Sequence, residues 1–196
     1  MGQYYKPISM EKKQYVLSHE YDNGLKLREH SCIGNPFVGV VEDLIAEGGD
    51  WHGDRIVWAG DYADEEKNSK NNLYSIVSNK KDSKIHPEPT KNKYRYVVNL
   101  DTKEFVDTKK VPLSDVWEDE KGKEWPLQLH PLPILTCEGN GRGGGDLRKE
   151  DPLVGMWARN RVTVSKTKPK GFTEMEFNLF EGDKPAEFKN KSTVKS

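Results

Sequence analysis

The sequence of 196 residues has few cysteines, no long apolar run and no excess of one charge. Its two cysteines, Cys32 and Cys137, show no C-x-x-C spacing, which excludes a disulfide-rich secreted scaffold and favours reduced thiols in the cytoplasm. No apolar stretch approaches the roughly 20 residues that a membrane-spanning helix needs, and the first residues lack the apolar core of a signal peptide. We therefore expect a cytoplasmic protein without a membrane partner.

Charge is abundant but balanced along the chain. Lys and Arg number 31 and Asp and Glu number 32, which gives a formal net charge of -1, and the mean hydropathy is -0.88. Without a basic excess, the sequence does not predict binding to a nucleic-acid polymer. The length fits one domain. We expect residues 1–181 to form it and the lysine-rich residues 182–196 to be a flexible tail.

One segment has the apolar periodicity of a helix. Asn35 is suited to cap its first turn, Pro36 fits the first helical position, and the Gly48-Gly49 pair follows its end. The sequence therefore predicts one main α-helix over about residues 36–47. Its apolar face comprises Phe37, Val40, Val41, Leu44 and Ile45.

Short strand-like segments dominate the remainder. One hairpin is predicted to turn at Asp22-Asn23-Gly24 and another at Asp101-Thr102-Lys103, while the charged residues 114–125 read as a connection. The predicted fold class is α+β, with a mostly antiparallel β-sheet. Further strands are predicted within residues 54–62, 72–78, 133–138, 155–166 and 172–180.

The most distinctive stretch has five glycines within residues 139–145, which we call the glycine segment. Successive glycines can direct several backbone N–H groups at one anion and allow a ligand close to the main chain. Arg142 and Arg148 add guanidinium groups suited to phosphate or carboxylate. The candidate ligand-binding residues here are Glu138, Asn140, Gly141, Arg142, Gly143, Gly144, Gly145, Asp146 and Arg148.

Two other interpretations of the glycine segment compete with ligand binding. Gly139, Gly141 and Gly144 satisfy the G-x-G-x-x-G pattern of dinucleotide-binding folds. The following residues 146–155 are too short and proline-bounded for the crossover helix which that fold requires. The second alternative is a flexible loop or a set of tight turns between strands, and this alternative stays open.

A second candidate region is "RIVWAGDYADEE", residues 55–66. Arg55, Trp58, Asp61 and Tyr62 combine a cation, an acid and two aromatic rings, which together can stack a base and hold a phosphate. The alternative is that Trp58 belongs to the core and Arg55 to a salt bridge. The acids from Asp61 to Glu66 match no EF-hand spacing, so we predict neither a metal site nor a cofactor.

The sequence resembles a family of small uncharacterised proteins from bacteria and their phages. The resemblance lies in "GQYYKP", "NGLKLREHS", "RIVWAGDYADEE", "HPLPILTCEGNGRGGGD" and "MWARNRV", which span nearly the whole chain. It implies no catalytic residue. It does imply a phage or mobile-element setting, in which small proteins without catalytic motifs can sequester nucleotide signals of host defence.

Three functions follow as hypotheses. The leading one is binding of a phosphate-bearing, nucleotide-like small molecule, in its sharpest form as a phage sponge for an immune signal. The first alternative is an enzyme acting on a nucleotide or an ADP-ribose-like substrate, with Glu138, Asp146 or the acids at 61–66 as base or metal ligands. The second is a protein–protein inhibitor of a host enzyme that uses Trp117 and Trp125 as anchors. A homo-oligomer with the site at a subunit seam is compatible with each.

Overall fold

The computed structural model describes residues 3–90, 93–118, 122–140, 147 and 151–179. These residues form an α+β fold, as predicted, with an eight-stranded, mostly antiparallel sheet and a separate two-stranded hairpin. The helices are α1 (Leu27–His30), α2 (Pro36–Ile45), α3 (Leu73–Ser78) and α4 (Pro131–Thr136), with 3-10 turns at Ser18–Tyr21 and Thr108–Lys110. The strands are β1 (Tyr5–Ser9), β2 (Gln14–Tyr15), β3 (Arg55–Gly60), β4 (Tyr96–Asn99), β5 (Glu104–Asp107), β6 (Asp115–Glu118), β7 (Glu124–Leu127), β8 (Cys137–Glu138), β9 (Asn160–Ser165) and β10 (Thr173–Glu174).

Strand β3 is the centre of the large sheet, whose order is β10-β5-β4-β9-β3-β1-β2. One edge of β3 pairs with β1, while its other edge is shared by antiparallel β9 and parallel β8. Ile56 and Trp58 enter the main core cluster, whereas Val57 and Ala59 enter a second cluster together with Leu73 of α3. Successive residues of β3 thus lie on opposite faces of the sheet, and both faces are covered.

Helix α2 forms where its end signals predict it. The Asn35 side chain accepts a hydrogen bond of 2.9 Å from the Phe37 N–H, and Pro36 occupies the first turn. All five residues of the predicted apolar face are buried, and each such burial contributes roughly 1.5–3 kcal/mol. The helix ends at Ile45, two residues before the predicted end.

The predicted hairpin at Asp22-Asn23-Gly24 is wrong. Asp22 does adopt the left-handed conformation, with φ of 56°, but it ends the 3-10 turn Ser18–Tyr21 instead of joining two strands. The chain then enters α1. By contrast, the hairpin at residues 101–103 is confirmed, because β4 and β5 pair in antiparallel register and Lys103 has a positive φ of 62°.

Two segments predicted as strands begin instead as capped helices. The Asn72 side chain accepts from the Ser75 N–H and starts α3, while His130 accepts from the Leu132 N–H and starts α4 ahead of the short strand β8. These caps outweigh the β-branched residues that favoured strands. The segment 114–125, predicted as a connection, instead includes β6 and the start of β7, which pair as an antiparallel hairpin. Among the described helices, none is long and apolar enough to span a membrane.

Candidate functional site

The glycine segment leaves the sheet where β3 and β8 end side by side. The two strands are parallel, with Ala59 opposite Glu138, so their carboxyl ends lie at one edge of the sheet. A side chain at Gly139 would collide with the carboxamide of Gln3 and the phenol of Tyr5, which are both buried. Packing therefore explains this first glycine of the segment. We call Gln3, Tyr5, Gly60, Glu138 and Gly139 the segment root.

Most of the glycine segment lies outside the described residues, but both of its flanks are described. Asn140 is an exposed turn residue directly after the segment root. Leu147 packs against the main core cluster. The chain thus leaves the sheet edge and returns to the core within a few residues. Outside the described part are Gly141, Arg142, Gly143, Gly144, Gly145, Asp146 and Arg148.

Arg159, a residue that the sequence did not single out, joins two of the acids near the segment root. Its Nε donates to Glu138 Oε2 at 2.6 Å, and its Nη2 donates to Glu138 Oε1 at 2.5 Å. Its Nη1 donates to Glu66 Oε2 at 3.1 Å, and Nη2 also contacts Glu66. The guanidinium therefore bridges two carboxylates and ties the loop after β3 to β8. Arg159 has a positive φ of 65°, which sequence reading cannot detect.

The two carboxylates have a structural partner rather than the environment of a catalytic base. Hydrogen bonding from Arg159 holds the pKa of Glu66 below its usual range. Hydrogen bonds to Glu138 and then to Glu66 raise the pKa of Arg159. Both acids thus have oxygens already occupied by Arg159, so proton abstraction by either would require breaking the bridge.

Two exposed tyrosines lie beside the segment root. Tyr62 follows β3 and is 49% exposed, while Tyr4 precedes β1 and is 45% exposed. Asp61 connects them, because its N–H donates to Tyr4 O at 3.0 Å and its Oδ1 accepts from the Tyr4 N–H at 3.1 Å. The structure therefore brings Asp61, Tyr62 and Glu138 to one edge and adds Tyr4, which sequence reasoning missed.

Arg55 and Trp58, which the sequence analysis also named as ligand-binding residues, do not join this group. Arg55 starts β3 at its opposite end, about 17 Å from Gly60 by strand geometry, and its Nε donates to Glu11 Oε1 at 2.7 Å. Trp58 is 0% exposed, so it offers no face for stacking. The alternative stated for both residues, a salt bridge and a core position, describes what the structure shows.

The Trp58 indole is part of a closed aromatic cluster. Its Nε1 donates to His30 Nε2 at 2.9 Å, and Phe37 of α2 meets the indole edge-on with 5.8 Å between ring centroids. His30 Nδ1 lies 3.0 Å from Gly24 O and donates to it. Burial lowers the pKa of His30 to about 4, so the imidazole is neutral at pH 7. Both ring nitrogens thus have partners in the core.

A separate cavity of about 510 Å³ lies along α2, and we call it the α2 cavity. Glu42 of α2 and His130, the cap of α4, are its buried polar residues. Glu42 Oε1 lies 3.2 Å from His130 Nε2. The remaining residues around it are Ile33, Gly34, Asn35, Pro36, Val38, Gly39, Thr90, Lys93, Tyr94 and Thr108.

Comparisons of the chain with protein-family models, with curated proteins and with solved structures found no match. Within the described ranges, no group of three or more His, Cys, Asp or Glu residues is placed to hold a metal ion. Any function assigned to the chain therefore depends on the geometry of the segment root and of the α2 cavity.

Proposed function

We propose that this protein binds a phosphate-bearing, nucleotide-like small molecule with its glycine segment, at the edge where β3 and β8 end. The observation that carries the proposal is the anchoring of this segment. Gly139 is packed under Gln3 and Tyr5, and Leu147 returns to the core. A bare backbone between two fixed points of a rigid scaffold is typical of binding loops.

The charges at the segment root indicate how such a ligand would lie. Three acids lie at or beside the segment root, and Arg159 pairs with two of them, Glu66 and Glu138. The Asp61 carboxylate is not part of that bridge and can accept from hydroxyl and N–H donors, such as those of a ribose or a base. The phosphate would therefore bind farther along the segment, at the glycine N–H groups and Arg142.

Exposed aromatic rings complete the proposed site. Tyr62 and Tyr4 flank Asp61 and present about half of their surface to solvent. Stacking of a base on an aromatic side chain contributes roughly 1–3 kcal/mol. Tyr62 is thus proposed as the stacking residue, in place of the buried Trp58.

Binding without turnover is favoured over catalysis by the bridge at Arg159. Glu66 and Glu138 are both hydrogen-bonded by that guanidinium, which removes two of the acids considered for an enzyme. In its finer form, the proposal is a phage-type sponge that sequesters a nucleotide signal of host defence in the cytoplasm. The enzyme alternative predicts an altered ligand, which product analysis would detect.

A thermal-shift screen tests the proposal directly. The panel contains nucleotides, cyclic dinucleotides, ADP-ribose and inorganic phosphate, and each hit is recovered and analysed for chemical change. A ligand at one hundred times its Kd stabilises the fold by about 2.7 kcal/mol. We expect a shift with the ligand recovered intact. Recovery of a product would replace the proposal with the enzyme alternative.

Variants locate the binding site of any hit. Arg142→Ala and Tyr62→Ala are each expected to weaken binding about tenfold or more, because each removes a charged or stacking contact. Arg161→Ala is the matched control, since Arg161 pairs with Asp101 and lies opposite Arg55 at the other end of β3. Unchanged affinity in both Arg142→Ala and Gly143→Val would remove the glycine segment from the site.

A protein partner is the second candidate, and one observation favours it. Trp125 is exposed on the β6–β7 hairpin, directly opposite Trp117 in the strand register. Exposed tryptophans are common anchors of protein interfaces. If no ligand in the panel shifts the melting temperature, capture of a host protein by the wild type, lost in Trp125→Ala, would support this function.

A further inference from the structure

We propose that the α2 cavity is a second small-molecule site, whose ligand has an apolar or aromatic body and one positively charged nitrogen. Its volume of about 510 Å³ falls within the range of about 300–1,000 Å³ of ligand pockets. Pro36, Val38 and Tyr94 supply apolar and aromatic wall, while Glu42 and His130 are the buried polar pair. A small apolar body with one polar end matches this distribution.

The strongest indication of a missing ligand is the Glu42 carboxylate. Glu42 is 7% exposed, and its Oε1 has no hydrogen bond although His130 Nε2 lies 3.2 Å away. The two atoms are close enough for an ion pair but lack hydrogen-bond alignment. A buried carboxylate oxygen without a donor is unfavourable, and native structures rarely keep one unless a ligand or water completes it.

His130 does not hydrogen-bond to Glu42 Oε1. Its Nδ1 accepts instead from the Leu132 N–H at 3.2 Å, which caps α4. Lys93 also borders the cavity, but it is exposed and does not satisfy Glu42 Oε1. A buried carboxylate oxygen without a donor therefore borders the cavity, and a cationic N–H donor is the group that best complements a carboxylate.

Thr90 and Tyr94, which line the cavity, are held in place by hydrogen bonds to Asp43 of α2. Tyr94 Oη donates to Asp43 Oδ1 at 3.1 Å, and Thr90 Oγ1 contacts Asp43 Oδ2. Gly39 lies on the cavity side of α2, and a Cβ added there would meet nothing within 4 Å. This open space is where the body of a ligand would fit without moving the backbone.

Three related probes separate charge from shape. Benzylamine carries the proposed cation, benzyl alcohol is its neutral counterpart, and benzoate carries the opposite charge. Each is titrated at millimolar concentrations into the ¹⁵N-labelled full-length protein. We expect benzylamine to shift amide resonances of Gly39, Glu42, Thr90 and Tyr94. Benzyl alcohol should bind about tenfold or more weakly and benzoate not at all, because charge-assisted hydrogen bonds contribute most.

Variants test both the charge preference of the site and its position in the α2 cavity. Glu42→Gln keeps the shape and removes the charge, so it should weaken benzylamine at least about tenfold. Gly39→Leu fills the open space and should abolish binding of both benzylamine and benzyl alcohol. Glu47→Gln is the matched control, since it makes the same charge change at an exposed position just after α2. It should leave the affinity within about twofold.

The opposite results would overturn the proposal. Equal binding of benzylamine and benzyl alcohol, unchanged in Glu42→Gln, would show that the carboxylate selects nothing. Absence of any amide shift with benzylamine would show that the α2 cavity is not a site. If Glu42→Gln does not fold, Gly39→Leu still decides whether the bound probe lies in the cavity. Arg142→Ala should not affect benzylamine, so failure of the glycine-segment site is distinguishable.

Discussion

Two buried histidines contact the same helix and differ in what surrounds them. His30 is packed edge-on against Phe37 near the start of α2, and both of its ring nitrogens have hydrogen-bond partners. His130 lies beside Glu42 farther along α2, where a carboxylate oxygen has no hydrogen bond and a cavity begins. Burial is similar at the two positions. The completeness of hydrogen bonding, rather than burial, separates a core histidine from one at a candidate site.

The largest loss of stability is expected from a substitution in the buried aromatic cluster of Trp58, His30 and Phe37. Trp58→Ala removes a fully buried indole and the donor to His30, so the free energy of unfolding should fall by about 3–5 kcal/mol. Chemical denaturation measures this change. Trp125→Ala is the matched control because Trp125 is exposed, and its cost should stay below about 1 kcal/mol. Equal costs would contradict the assignment of Trp58 to the core.

The second largest effect is a pH dependence that His30 imposes. Its pKa is about 4 in the folded protein, against the ordinary histidine value of 6.5 in the unfolded chain, so below pH 6.5 only the unfolded chain gains this proton. The contribution of the neutral His30 side chain to the free energy of unfolding is fully present above pH 6.5 and is lost as the pH falls through 4. The loss is about 3 kcal/mol. Denaturation at several pH values gives the free energy of unfolding as a function of pH. Its slope should be shallower for His30→Gln, whereas His19→Gln, at an exposed site, should match the wild type.

A smaller effect, an increase in stability, is expected from a substitution at the α2 cavity. Glu42→Met replaces a buried carboxylate whose Oε1 lacks a hydrogen bond with an apolar side chain of similar length. The change removes no hydrogen bond of Oε1, because that atom makes none. The free energy of unfolding of the ligand-free protein should therefore rise by roughly 1–2 kcal/mol. A decrease would mean that His130 depends on Glu42 for its position.

The smallest effect is expected from Gly39→Ala. The added Cβ meets open space, and alanine favours a helix interior over glycine by up to about 1 kcal/mol. Thermal unfolding should show a slightly higher Tm. Gly49→Ala is the contrasting control, because a Cβ there would collide with backbone carbonyls of Asp43 and Leu44. A stabilised Gly49→Ala would contradict the packing after α2.

Helix α2 and strand β3 could be predicted because their signals are local. Asn35 and Pro36 define the start of the helix, and the apolar run from Ile56 to Ala59 is typical of a buried strand. The six-residue helices α3 and α4 were misread, since strand-favouring residues obscured caps at Asn72 and His130. In short helices a single cap carries a large share of the stability.

The candidate sites were predictable only in part. Asp61, Tyr62 and Glu138 were selected by residue type, and the parallel pairing of β3 with β8 places them at one edge. Arg159 and the pair of Glu42 and His130 gave no sequence signal. The partners in each set lie far apart along the chain, and no local pattern records which side chains the sheet brings together.

The sequence by itself determined the fold class, the position of the main helix and the concentration of glycines at 139–145. These features depend on backbone preference and on periodicity over neighbouring residues. Only the tertiary structure decided that Trp58 is core, that Arg159 bridges two acids and that a carboxylate faces the α2 cavity. Burial and charge pairing are properties of contacts between distant segments, and those contacts exist only once the chain has folded.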